Sequence, residues 1–263
     1  MKRLLSTLTA VALAAVSSAT RAEGFAAIIS PPRFELKASP GSTLRQVIEV
    51  TNHSATPSKY HIHTADFSLA PDYTVVFKDE LQPGSCRPWV AIERPQVTLG
   101  GGATIRYRYE VQVPKDAPAG ECRFAILIQG DDPSVARAGA LQIPVVGRIG
   151  IIVYVIVGNA KPQLEIFSED VLEHNGRKLP ALRVHNDGDA HARITGFLTG
   201  TDAAGHKFDF TPSNLPILPG EVREVLLQPS TPTDDNPVLN YPVTVKGTIE
   251  WGDNSSEIDE RFQ

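Results

Sequence analysis

One stretch of the chain changes its pattern of apolar and polar positions part-way along. Gly139–Val157 reads Gly-Ala-Leu-Gln-Ile-Pro-Val-Val-Gly-Arg-Ile-Gly-Ile-Ile-Val-Tyr-Val-Ile-Val. In its first half, Leu141, Ile143 and Val145 alternate with Gln142 and Pro144, which predicts a strand with one apolar face. From Ile149 to Val157 almost every residue is apolar, which predicts a strand covered on both faces. Arg148 stands at the join. One strand is therefore expected to begin exposed and end buried, with a lone cation between.

Period-2 alternation recurs before this stretch. Leu44–Val50 and Tyr60–Phe67 alternate, and Thr104–Val113 places Ile105, Tyr107, Tyr109, Val111 and Val113 on one face. Shorter strands are expected at Val75–Phe77, Trp89–Ile92, Gln96–Leu99 and Cys122–Gln129, divided by turns such as Pro40-Gly41 and Gly100-Gly101-Gly102. About seven short strands separated by turns fit an immunoglobulin-like β-sandwich. After Gly158-Asn159, Ala160-Lys161-Pro162 reads as a linker. Further strands are expected at Gln163–Phe167, Leu179–His185, Ala192–Thr201, Lys207–Thr211, Val222–Leu227 and Pro242–Trp251, with turns at Asn175-Gly176, Asn186-Asp187-Gly188 and Pro219-Gly220. No segment carries a helical period. The fold class is all-β, with two immunoglobulin-like sandwiches.

The N-terminus changes the picture by fixing the expected compartment. Lys2 and Arg3 precede an apolar run, Leu4–Val16, and a small-residue exit at Thr20-Arg21-Ala22. This is the pattern of a secretory signal peptide over residues 1–22, cut after Ala22 or alternatively after Ala19. The run is too short to span a bilayer as a mature helix. The expected division is then 23–158 for the first sandwich and 159–263 for the second. A net charge of −5 spread along the 263 residues argues against a nucleic-acid partner. Cys86 and Cys122 are the two cysteines, and in an oxidising compartment an isolated pair is expected to form a disulfide.

Searching for chemistry yields little. No hydrolase elbow, phosphate loop, dinucleotide fingerprint or zinc-protease helix is present, so no enzyme, cofactor or small-molecule substrate is expected. Gly100-Gly101-Gly102 lacks the Lys-Ser/Thr and helix of a phosphate site and reads as a turn. His61 and His63 share a strand face, which could suit a metal, but no third ligand is evident and no metal is assigned. His185 and His191 flank the Asn186-Asp187-Gly188 turn and read as surface residues beside it. Asn52-His53-Ser54 and Asn254-Ser255-Ser256 match the glycosylation sequon, a pattern common by chance.

The order of these landmarks resembles the periplasmic pilus-assembly chaperones of the chaperone–usher pathway, the PapD-like family. Arg33 in Ser30-Pro31-Pro32-Arg33-Phe34 is similar to an arginine early in that family's first strand. Leu141, Ile143, Arg148 and Ile149–Val155 resemble its last first-domain strand: alternating apolar residues, a basic residue, then an apolar run. Val184-His185-Asn186-Asp187-Gly188 and Ile217-Leu218-Pro219-Gly220 resemble two second-domain turns. The resemblance implies an L-shaped pair of sandwiches with a cleft between them. It implies that Arg33 and Arg148 anchor the C-terminal carboxylate of a pilus or fimbrial subunit by charge-assisted hydrogen bonds. It further implies that Leu141, Ile143 and Val145 complete the subunit by donating a strand, and that an outer-membrane usher is the second partner. Pro144, which lacks an N–H, and Gly139 depart from the pattern of the donor strand. Two other readings stay open: a structural or adhesive two-domain protein of the cell surface or a fibre, and a binding module contacting carbohydrate or metal through His61 and His63.

Overall fold

The computed structural model describes residues 25–70, 72–131, 134–138 and 141–263, with backbone alone for 134–138 and 141–145. The expected signal peptide and Gly139 lie outside the described residues.

The chain begins with β1 (Ala27–Ser30), β2 (Arg33–Ala38), β3 (Thr43–Asn52), β4 (Ser58–Leu69) and β5 (Val75–Lys78). A single 3₁₀ turn at Arg87–Trp89 leads into β6 (Val90–Ile92), then β7 (Gln96–Leu99), β8 (Thr104–Gln112) and β9 (Gly120–Gly130). β10 (Ser134–Ala138), β11 (Leu141–Val145) and β12 (Arg148–Val157) complete the first half. One sheet has the order β1-β3-β8-β6, and the other β2-β12-β9-β4-β5 with β7 also on β4. Their inner faces enclose Ile48, Val50, Tyr107, Tyr109 and Val111 from the first sheet against Tyr60, Ile62, Phe124, Ile126, Ile151, Val153 and Val155 from the second. These are the alternate residues of each strand, as a two-sheet sandwich requires. Cys86 is buried in this core and is disulfide-bonded to Cys122 at the start of β9.

The second half comprises β13 (Leu164–His174), β14 (Arg177–Asn186), β15 (Thr195–Thr201), β16 (Lys207–Pro212), β17 (Val222–Ser230), β18 (Val243–Trp251) and β19 (Asn254–Phe262). They form one sheet of order β13-β14-β17-β16-β15-β18-β19. It curls over its core until β13 and β19 approach each other, enclosing Leu182, Val184, Leu198, Phe210, Leu227, Ile249 and Trp251. Asn186 ties the entry to this unit. Its side-chain amide donates to the carbonyls of Ala190 and Ile217, and its side-chain oxygen accepts from the N–H of Gln163 and Gly188. The all-β, two-sandwich architecture expected from alternation is the one observed.

Three places differ most from expectation. No strand was expected at Ser134–Ala138, which forms β10. β19 was not anticipated, because in Asn-Ser-Ser-Glu-Ile-Asp-Glu-Arg-Phe only Ile258 and Phe262 turn inward, too sparse an alternation to read. The stretch Gly139–Val157 is not one strand. β11 pairs with β10 in a two-stranded sheet of its own, while β12 pairs with β9 and β2. The break falls at Val146-Gly147, one residue before Arg148. The register supplies the reason: Arg148 faces Gln129 but Val145 faces Ser134, so the hairpin slips by two positions at its neck. Phe25 packs on that neck, where a Cβ on Gly147 would collide with the Phe25 Cβ and Cγ and one on Gly130 would press the same ring.

Candidate partner-binding face

The first strand changes sheets part-way along. β1 pairs antiparallel with β3 in the first sheet; after Pro31-Pro32, β2 pairs in parallel with β12 in the second. The two prolines lack the N–H groups a ladder would use, so the switch falls there. β2 joins β12 where Arg33 faces Ile152, and the Ile152 N–H donates to the Pro32 carbonyl at 3.3 Å. Ahead of that point, Arg148–Ile151 pair with β9 on one side, and β11 pairs with β10 on one side. Among the described residues nothing pairs with their other side. The result is an open seam of backbone donors and acceptors that closes at Arg33.

Side-chain alternation decides which residues look away from the core. Arg148, Gly150, Ile152 and Tyr154 share a face with Arg33 and Glu35 on β2, Arg123, Ala125 and Leu127 on β9, and His61, His63 and Ala65 on β4. This face turns toward the second sandwich. Ala65, Phe67, Ala125, Leu127 and Tyr154 bury against Leu218, which sits in the Leu218-Pro219-Gly220 turn. Phe77 lies across β12, where a Cβ on Gly150 would overlap its ring, and the Arg148 guanidinium stands 5.3 Å from the ring centroid. The doubly apolar run from Ile149 to Val157 thus has two covers. Ile151, Val153, Val155 and Val157 face their own core, and Tyr154 faces the other sandwich.

Where the two sandwiches meet, charged groups gather, with His191 and Glu121 buried and Glu35 and Arg33 at the open edge. His191 stacks on Tyr154 with centroids 4.0 Å apart and is itself buried, its side chain 3% exposed. Its Nδ1 meets Oε2 of Glu121, a carboxylate with no exposure, and its backbone N–H donates to the same oxygen at 2.9 Å. Its Nε2 lies 3.6 Å from Oε1 of Glu35. That Glu35 oxygen also lies 2.9 Å from Arg33 Nε and 3.6 Å from Arg193 Nε. Burial opposes the charged imidazole, but Glu121 and Glu35 outweigh it and raise the His191 pKa. His191, followed by the charges of Arg33 and Arg193, holds the Glu35 carboxyl down at about 2. Burial and the nearby Arg33 charge lower Arg193. The expectation that His191 is a surface residue beside a turn is corrected. The turn carries it into the contact between sandwiches, because Lys161 and Gln163 bond to Asp189 and Asn186 and fold the loop back.

The remaining sequence-derived candidates fall as follows. Arg33 and Arg148 share the face and border the seam, four positions apart on neighbouring strands and so about 14 Å apart at Cα. They do not share a partner: Arg33 pairs with Glu35, and Arg148 stacks on Phe77. Leu141, Ile143 and Val145 lie on β11, opposite Ala138, Ala136 and Ser134. His61 bonds Asp131 at 2.9 Å, and His63 lies 3.9 Å from Asp79, so the two histidines face different carboxylates. Asn52 of the first sequon is fully buried, its amide donating to the carbonyls of Thr56, Leu99 and Gly100. Glu35 and Arg193 escaped the sequence reading, and so did the pairing of His191 with Glu121, because those two are 70 positions apart and no local pattern links the cluster.

No protein-family model and no curated protein matches this sequence. Solved structures similar to the chain include the class 5 fimbriae chaperone CfaA, at 14% identity and TM-score 0.47, covering 90% of this chain and 99% of that one. The E. coli chaperone DraB aligns at 15% identity and TM-score 0.46, over 92% of this chain and 99% of its own. A complex of Salmonella enterica SafA pilin with the SafB chaperone aligns at 12% identity and TM-score 0.45, over 90% and 97%.

Proposed function

We propose that this protein is a periplasmic chaperone that binds incomplete pilus or fimbrial subunits and delivers them to an outer-membrane usher. The observation that carries the reading is the open seam along β11 and the start of β12, closed at one end by Arg33. An unpaired strand edge is a template for another chain, and a seam with a basic terminus suits a strand that ends in a carboxylate. Leu141, Ile143 and Val145 fill the subunit's open core while the backbone of β11 adds the missing strand. Arg33 and Arg148 are the cations that hold the subunit's C-terminal carboxylate. The role is binding, without a chemical step.

The test is capture of a β-sandwich subunit lacking its last strand. Co-expression with the wild type should yield a soluble complex. Arg33→Ala, Arg148→Ala and Ile143→Asp should each lower the captured fraction about tenfold or more, since losing a charge-assisted anchor weakens binding by about 1.5–3 kcal/mol. Undiminished capture by all three folded variants would remove the reading.

A further inference from the structure

Three cationic nitrogens converge on one carboxylate oxygen of the chain itself. Around Glu35 Oε1 stand Arg33 Nε at 2.9 Å, Arg193 Nε at 3.6 Å and His191 Nε2 at 3.6 Å. Only the first is within hydrogen-bond distance. Arg193 Nε is buried and makes no hydrogen bond, although the same guanidinium donates through Nη1 to the Asn214 carbonyl at 2.9 Å. A buried donor left without an acceptor is unfavourable. Glu35 therefore sits in a receptor for a carboxylate that it fills incompletely. The arrangement is accessible, since the side chains of Glu35 and Arg33 are 42% and 44% exposed. It also stands where the seam closes.

We infer that Arg193 of the second sandwich, together with Arg33, forms the carboxylate site of this face, and that Glu35 is its resident in the free chain. The inference rests on the chaperone reading and adds to it a cation from the second sandwich and an internal competitor. An incoming C-terminal carboxylate displaces Glu35 and takes hydrogen bonds from both guanidinium groups, a planar geometry that arginine suits. His191 and the carboxylate of Glu121 remain behind as a neutral pair, so the exchange trades one carboxylate for another without adding net charge to the site. A second consequence is that the bound carboxylate bridges the sandwiches, because Arg33 belongs to β2 and Arg193 to the segment just before β15.

The experiment uses an N-acetylated hexapeptide of alternating valine and threonine, prepared with a free C-terminal carboxylate and as its amide. Binding of each is measured by calorimetry, and the arginine Nε–Hε resonances are followed by NMR. With the wild type, the acid should bind tighter than the amide and shift the Arg33 and Arg193 signals. Glu35→Gln should bind the acid about threefold tighter or more, because the competent state is no longer occupied by the internal carboxylate. Arg193→Gln should lose the preference for acid over amide, while the distant Arg45→Gln keeps it. Unmoved Arg193 signals, with wild-type preference in Glu35→Gln and Arg193→Gln, would overturn the inference. If the preference then disappeared in Arg33→Gln and Arg148→Gln, the original two-arginine anchor would stand alone. Equal binding of acid and amide to the wild type would remove both.

Discussion

His191→Phe perturbs the contact between the sandwiches at its most buried polar point. The imidazole is stacked on Tyr154 and bonded to Glu121, whose carboxylate has no exposure and whose Oε1 has no hydrogen-bond partner. Phenylalanine can keep the stacking but takes away the countercharge. Removing one partner of a buried ion pair typically costs about 3–5 kcal/mol. The backbone N–H of residue 191 still donates to Glu121 at 2.9 Å, which points to the lower end, about 3 kcal/mol. For a chain of this size that lowers Tm by roughly 6–12 °C. Adding Glu121→Leu should restore most of the loss, because replacing a whole buried pair by apolar groups is often nearly neutral. The pH dependence gives an independent check. The folded pKa of His191 is raised above its ordinary value of 6.5. Its stabilisation is therefore complete below the unfolded value and declines as pH rises through the folded one. Urea unfolding of the wild type should show that decline above pH 6.5, and His191→Phe should lack it. A single variant costing under about 1 kcal/mol, far below the buried-pair range, or a double variant worse than the single, would refute the argument.

Two further predictions concern the scaffold beneath the site. Gly150→Val places side-chain atoms where the Phe77 ring lies; overpacking of this kind costs about 1–3 kcal/mol, and Phe77→Ala in the same chain should recover part of it in urea midpoints. Reducing the Cys86–Cys122 disulfide opens a loop spanning 36 positions, which chain entropy values at about 4 kcal/mol; an unchanged Tm on reduction would contradict the structural role given to the bond.

Local chemistry in the sequence was enough to settle the architecture. Alternation placed Ile105, Tyr107, Tyr109, Val111 and Val113 on one face, and all but the partly buried Ile105 lie in the core. Period-2 spacing carries that information because it depends only on neighbours along one strand. Gly, Pro and Asn turns likewise marked most boundaries, and two cysteines in a chain with an expected signal peptide were enough to anticipate their pairing. β19 was missed for the converse reason: a mostly solvated strand has little alternation to display.

The candidate site was legible only in part. Arg148 could be singled out because it stands at the join of an apolar run, and Arg33 only through the family resemblance of Ser30-Pro31-Pro32-Arg33-Phe34. Their relation could not, since it depends on β2 entering the second sheet in parallel beside Ile152, a pairing no local pattern encodes. The cluster of Glu35, Glu121, His191 and Arg193 arises from docking one sandwich on another through Leu218 and Tyr154. Such a cluster is written in the sequence as four unremarkable charged residues. The burial of Glu121 and His191, and hence the strength of their pairing, exists only once the two sandwiches exclude water between them.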